Sequence, residues 1–282
     1  MSQDVVDRPI NRRTFAMTSL ATGFALAVQP VAASVIATDA AGLEAGEVKI
    51  PVADGQMPAY RAMPSAGMKL GTILIAHEIF GVHEWIKDIC RRFAKAGYLV
   101  VAPDLYARYG DATKIEDFKV LIDTIVRKAS DDQVLSDLDA TAKWASANGG
   151  DGARLAVTGF CWGGRVAWMY TAHNPQVKAG VAWYGSMTKH ANDTRPVHPI
   201  DLADKMKGRV LGQYGELDKG IPVSEVEQMR AALTAAGDTK SEIVVYPGAD
   251  HGFLADYRPS YNEAAAKQAW PRALDWFKGH GV

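Results

Sequence analysis

Short apolar runs recur along the chain and alternate with longer stretches in which apolar positions return every third or fourth residue. The short runs predict strands over 48–53, 71–76, 99–102, 154–158, 179–183, 209–213 and 243–246. The longer stretches predict helices over 84–96, 115–128, 132–147, 165–173, 223–236 and 262–278. Runs such as Thr72-Ile73-Leu74-Ile75 show no polar alternation, as a strand covered on both faces requires. Strands and helices in this order predict an α/β fold, a mainly parallel sheet with helices on both faces. In open sheets of this type reactive groups gather beyond the carboxyl ends of the strands.

Ahead of the first strand the pattern changes. Arg12-Arg13 precede a moderately apolar run from Ala16 to Val28, and the small residues Val31-Ala32-Ala33 follow it. That order describes a cleavable export signal over 1–33, with a leader segment over 34–46 and one domain over 47–282. The apolar run falls short of the roughly 20 residues that span a hydrocarbon core, and Thr18, Ser19 and Thr22 dilute it, so no stable membrane anchor is expected. Arg12-Arg13 with Phe15 is similar to a twin-arginine signal, although Ala16 and Met17 depart from it. A periplasmic or secreted protein is expected, folded before export.

Composition narrows the partners. The 282 residues are 48% hydrophobic, enough for a substantial core, and no repeat or linker divides them. With 31 basic against 32 acidic residues and a net charge of −1, no clustered positive charge points to nucleic acid. A small-molecule partner and a monomer are expected. Two cysteines, Cys90 and Cys161, are too few for a disulfide framework. Cys90 falls among Trp85, Ile86, Ile89 and Phe93 in an amphipathic pattern and reads as a buried helix residue.

Cys161 stands in Gly159-Phe160-Cys161-Trp162-Gly163-Gly164, between a β-rich run and a helix-compatible one. A sharp strand-to-helix turn of this kind exposes its central side chain and needs small residues two positions away. The same turn puts Cys161 at a helix N-terminus, whose unpaired N–H groups receive anions. A buried structural cysteine beside glycines is the competing reading. Gly-x-Gly-x-x-Gly, the dinucleotide pattern, is absent. Two later strands also end in polar loops, one carrying Asp218 and the other His251, with Glu216 and Asp250 as rival carboxylates. The order nucleophile, carboxylate, histidine is that of α/β-hydrolases. In that fold the oxyanion donors are the N–H after the nucleophile and one from the loop after an early strand, here Trp162 and Ile79. His77-Glu78-Ile79-Phe80-Gly81 is not a zinc motif, because its fifth position is glycine, and no metal or other cofactor is expected.

Taken together, Glu78-Ile79-Phe80-Gly81, Asp104-Leu105-Tyr106-Ala107-Arg108, Gly159 to Gly164, Asp218 and His251-Gly252-Phe253 make the chain resemble the dienelactone hydrolase family of the α/β-hydrolase superfamily, from about residue 47 to 277. The resemblance implies a Cys161-His251-Asp218 triad that cleaves an ester or lactone bearing a carboxylate. It also implies a Glu78 hydrogen bond to the resting cysteine, and arginines for the substrate carboxylate. Arg108 matches the family position. Arg258 is the candidate second guanidinium, with a surface ion pair to Asp256 as its other reading, and Phe80 is expected to face the substrate. A broad acyl esterase and a non-catalytic ligand-binding scaffold are the alternatives.

Overall fold

In the computed structural model, residues 37–67, 69–188 and 194–282 are described. The expected export signal over 1–33, and His190, lie outside them. Eight strands form one sheet, each parallel strand joined to the next by a connection that carries helix. They are β1 (Leu43–Val52), β2 (Gly55–Pro64), β3 (Leu70–Ala76), β4 (Leu99–Pro103), β5 (Gly150–Phe160), β6 (Val177–Trp183), β7 (Arg209–Gly215) and β8 (Glu242–Tyr246). Their order is β1-β2-β4-β3-β5-β6-β7-β8, with β1 and β2 antiparallel and the other six parallel.

The helices are α1 (Glu84–Lys95), α2 (Phe118–Leu121), α3 (Asp131–Ala147), α4 (Trp162–His173), α5 (Val223–Ala235) and α6 (Glu263–Gly279). Alternate side chains of each strand feed two cores. Ile73 and Ile75 pack with α1 residues such as Trp85 and Phe93 and with Ala269 and Phe277 of α6. Leu74 and Ala76 pack on the other face with Leu138 of α3, Trp168 of α4 and Met229 of α5. Helices on both faces explain why the strands read as continuous apolar runs.

Three elements differ from the sequence reading. β2 went unread because Pro58 and Pro64 interrupt a run whose remaining members, such as Ala59 and Ala62, are weak strand formers. β1 starts at Leu43, ahead of the expected boundary at 47, and the preceding residues also dock: Arg91 donates to the Thr38 carbonyl at 2.7 Å, and Lys95 to Asp39 at 2.8 Å. The single helix expected over 115–128 is instead α2, capped by Asp117, running into a π-helical turn over Ile122–Val126.

Candidate active site

β5 ends at Phe160 and α4 begins at Trp162, so Cys161 alone makes the turn. Its backbone takes φ 56° and ψ −114°, a strained conformation for an L-residue. The turn is held by the Cys161 N–H donating to the Trp183 carbonyl and by Gly164 N–H donating to the Cys161 carbonyl, both at 3.0 Å. A Cβ at Gly159 would lie 1.9 Å from the Gly163 carbonyl oxygen, and one at Gly163 would lie 2.0 Å from that of Ala76. Strand and helix therefore meet at a distance only glycine permits. Gly163 and Gly164 hid the first turn of α4 from the helical pattern, which was expected to begin at residue 165.

The loops after β7 and β8 bring the other two groups. Asp218 and His251 are buried, and Asp218 Oδ2 lies 2.7 Å from His251 Nδ1. Asp218 Oδ1 accepts from the Gly220 and Ile221 N–H groups at 2.8 and 3.0 Å, which fixes the carboxylate. The rival carboxylates are turned elsewhere: Glu216 accepts from Gly248 N–H and Asp250 from the N–H of His251 itself. Cys161, on the turn, is the third member of the row and acts with Asp218 to favour the charged imidazole. Burial disfavours a charged imidazole here. The charges of Asp218 and Cys161, with their hydrogen bonds, outweigh it and raise His251 to about 10. The Tyr184 ring, on a residue held at φ 39° just after β6, meets the imidazole edge-on at 5.2 Å.

Opposite, the loop after β3 supplies Glu78 and Ile79. His77 pins it: Nδ1 donates to the Glu78 carbonyl at 2.7 Å and Nε2 accepts from Leu105 N–H at 3.1 Å, and burial pushes its pKa down to about 4. Ile79 is buried, and Trp162 is the first residue of α4, so its N–H has no acceptor within its own helix. Trp162 turns its ring onto His77 and Tyr106, at 5.6 and 4.8 Å.

Glu78 departs from expectation. Its Oε1 accepts from Arg258 Nη2 at 2.8 Å, and its Oε2 from Tyr257 Oη at 2.7 Å and His83 Nε2 at 3.1 Å, rather than from the cysteine. Burial alone would raise this carboxyl. The Arg258 charge and the His83 and Tyr257 hydrogen bonds overcome it and hold the group down to about 2. Arg258 is fully buried against Glu78, its guanidinium 5.7 Å over the Phe80 ring, and is not the surface partner of Asp256. Asp256 instead accepts from Trp85 Nε1 and Arg92 Nη2, at 2.9 and 2.6 Å, which ties the Tyr257-Arg258 loop to α1.

Arg108 lies among carboxylates of the protein. It donates from Nε and Nη2 to Asp54 at 2.6 Å, and from Nη1 and Nη2 to Asp137 at 2.6 and 3.0 Å, so all three of its nitrogens already face carboxylates. The sequence reading missed His83 and Tyr257. Neither has a sequence signal: Tyr257 reaches a carboxylate 179 positions away, and His83 stands alone in its loop. Cys90 is buried in α1, and burial pushes its thiol pKa up. Among the described residues no cluster of His, Cys, Asp and Glu could hold a metal ion, and no helix is long and apolar enough to cross a membrane.

A curated protein of Methylorubrum extorquens named "Putative carboxymethylenebutenolidase" is 56% identical over 275 residues, covering 97% of this chain and 94% of its own length. A crystal structure from Klebsiella pneumoniae, described as a "Putative Dienelactone Hydrolase", superposes with a TM-score of 0.82 at 51% identity, covering 84% of this chain and 98% of that one. An acylaminoacyl peptidase from Pyrococcus horikoshii shares the fold at 16% identity and a TM-score of 0.67, over 85% of this chain and 42% of the peptidase. Residues 57–281 match the model of the dienelactone hydrolase family, and this chain belongs to that family.

Proposed function

We propose that the chain hydrolyses an ester or lactone through a thioester on Cys161, with His251 as proton carrier and Asp218 as its orienting carboxylate. Membership of the family makes the chain a carboxylic ester hydrolase. The observation that carries the finer reading is the row Asp218–His251–Cys161 ending on the strained turn after β5.

The steps follow from that row. With its proton held by His251 Nε2, Cys161 Sγ bonds to the substrate carbonyl carbon. The carbonyl oxygen becomes an oxyanion, for which the backbone N–H groups of Trp162 and Ile79 are the donors. When the intermediate collapses, the C–O bond to the leaving group breaks and that oxygen takes the proton from His251. In a lactone the leaving oxygen stays tethered to the acyl group. Water, deprotonated by His251, then attacks the thioester, and the sulfur leaves and recovers the proton. Asp218 holds Nδ1–H towards itself throughout, leaving Nε2 to face the sulfur.

The location of the protein is part of the proposal: Arg12-Arg13 and the apolar run behind them support export of a folded enzyme. The test is a hydrolysis screen over esters and lactones on wild type and Cys161→Ala, with thermal melting beside it. The reading expects turnover by wild type and its loss, by at least 10³-fold, in a variant that melts within a few degrees of wild type. Unchanged turnover in Cys161→Ala overturns it.

A further inference from the structure

We propose that His77 is a positioning residue for the oxyanion hole: through its hydrogen bond to the Glu78 carbonyl it sets the peptide plane whose other end is the Ile79 N–H. The inference rests on the reading of the chain as a Cys161 hydrolase with Ile79 and Trp162 as oxyanion donors, and adds a residue to that machinery.

A peptide group is planar, so its C=O and N–H point in opposite directions and turn together. The Glu78 carbonyl and the Ile79 N–H belong to one such group. His77 Nδ1 lies 2.7 Å from the Glu78 carbonyl oxygen, and Gly81 N–H donates to the same oxygen at 3.2 Å. That end of the plane is therefore held by two donors. At the other end Ile79 is buried, and its N–H makes no hydrogen bond among the described residues, as a donor kept for a developing oxyanion requires. A carbonyl that accepts hydrogen bonds also polarises its own amide, which strengthens the N–H as a donor.

The imidazole is fixed in the tautomer that this bond needs. Nε2 faces the Leu105 N–H at 3.1 Å, a group that can only donate, so Nε2 accepts and the ring hydrogen is on Nδ1. His77 is 0% exposed, and burial pushes its pKa down to about 4, so the ring is neutral around pH 7. Asp104, the carboxylate that would favour hydrogen on Nε2, lies 3.9 Å away, beyond hydrogen-bond reach, and its Oδ1 accepts from Tyr106 N–H. The ring is also held by its neighbours: Tyr106 meets it edge-on at 4.7 Å and Trp162 stacks on it at 5.6 Å. One neutral ring thus touches both donor residues and ties the loop after β3 to the loop after β4.

The test compares two reactions of the same sulfur. Hydrolysis of 4-nitrophenyl butyrate passes through an oxyanion, whereas alkylation of Cys161 by iodoacetamide breaks a carbon–iodine bond and forms none. His77→Leu fills the space but removes the donor. Its kcat/KM is expected to fall by about 10²-fold, the usual loss when one oxyanion donor is removed, while alkylation, followed by mass analysis of the Cys161 peptide, stays within twofold of wild type. His77→Gln, whose carboxamide carries a donor and an acceptor as the ring does, is expected to recover at least tenfold of that loss. Hydrolysis by His77→Leu within threefold of wild type overturns the inference, as does a fall in alkylation that matches the fall in hydrolysis. Turnover by His77→Gln no better than by His77→Leu also overturns it. Should His77→Leu fail to fold, NMR of the histidine ring nitrogens in wild type decides, with the His77 signals identified by their absence in His77→Gln. Hydrogen on Nδ1 of a neutral ring at pH 7 is expected, and hydrogen on Nε2 or a charged ring overturns the inference. Full activity in Cys161→Ala, or no hydrolysis by wild type, would instead defeat the underlying hydrolase reading.

Discussion

Replacing Asp218 with asparagine isolates the orientation of the imidazole from the packing around it. The side chain is fully buried, and its two oxygens have separate duties: Oδ1 accepts two backbone N–H groups and Oδ2 faces His251 Nδ1 at 2.7 Å. Asparagine can keep its oxygen on Gly220 and Ile221, so the loop after β7 should hold. Its amide nitrogen then faces Nδ1 and can only donate, which drives the imidazole into the tautomer with hydrogen on Nε2. That tautomer cannot take a proton from the thiol. Where an orienting carboxylate is neutralised without moving it, losses of about 10³–10⁴ in rate are usual, or about 4–5.5 kcal/mol in transition-state stabilisation. The Asp218 charge also contributes to the raised pKa of His251, so that pKa should fall from about 10 in the variant. Steady-state kcat/KM on an activated ester gives the first quantity, and the pH dependence of Cys161 alkylation gives the second. A loss below about tenfold in a variant that melts like wild type would refute the assignment of Asp218.

Gly163→Ala would put a methyl group 2.0 Å from one backbone carbonyl oxygen and 2.5 Å from another, so a loss of at least about 3 kcal/mol is expected, read as a fall in melting temperature; a variant melting within two degrees of wild type contradicts the close-approach argument. Arg258→Met strands Glu78 in the interior, and removing one partner of such a pair costs about 3–5 kcal/mol. In denaturant titrations, adding Glu78→Gln to that variant should restore a substantial part of the loss, and strict additivity would argue against the pair. The folded pKa of Glu78, held near 2, lies below its ordinary value of 4.5, so its contribution is present above pH 4.5 and is lost as pH falls towards 2. Wild type should therefore lose more melting temperature between pH 5 and pH 2.5 than Glu78→Gln does, and parallel profiles would count against the assignment.

The six parallel strands were legible because strands buried on both faces must be apolar throughout, and the turn at Cys161 was legible because two glycines flank it at fixed spacing. The antiparallel edge was not. β2 carries two prolines, and what stabilises it is pairing with β1 and β4, a tertiary fact that local propensity does not encode. Chain order pointed to the pair His251 and Asp218, which the fold brings within 2.7 Å of each other, since each lies in the loop after a strand. The surroundings of Glu78 resisted reading for a different reason. A carboxylate in a loop after β3 finds its arginine 180 positions later, and spacing along the chain holds no trace of that distance. Arg108 stood in the right motif, yet two aspartates from separate elements engage it, and only the fold brings them there.

The claim on which the rest depends is that the acyl group passes through the sulfur of Cys161. Rapid acid quench during turnover of a 4-nitrophenyl ester, followed by peptide mass analysis, tests it directly. The expected result is the acyl mass on the peptide containing Cys161, removable by neutral hydroxylamine and absent in Cys161→Ala. Acylation at another residue, or turnover with no adduct and full activity in Cys161→Ala, would contradict it.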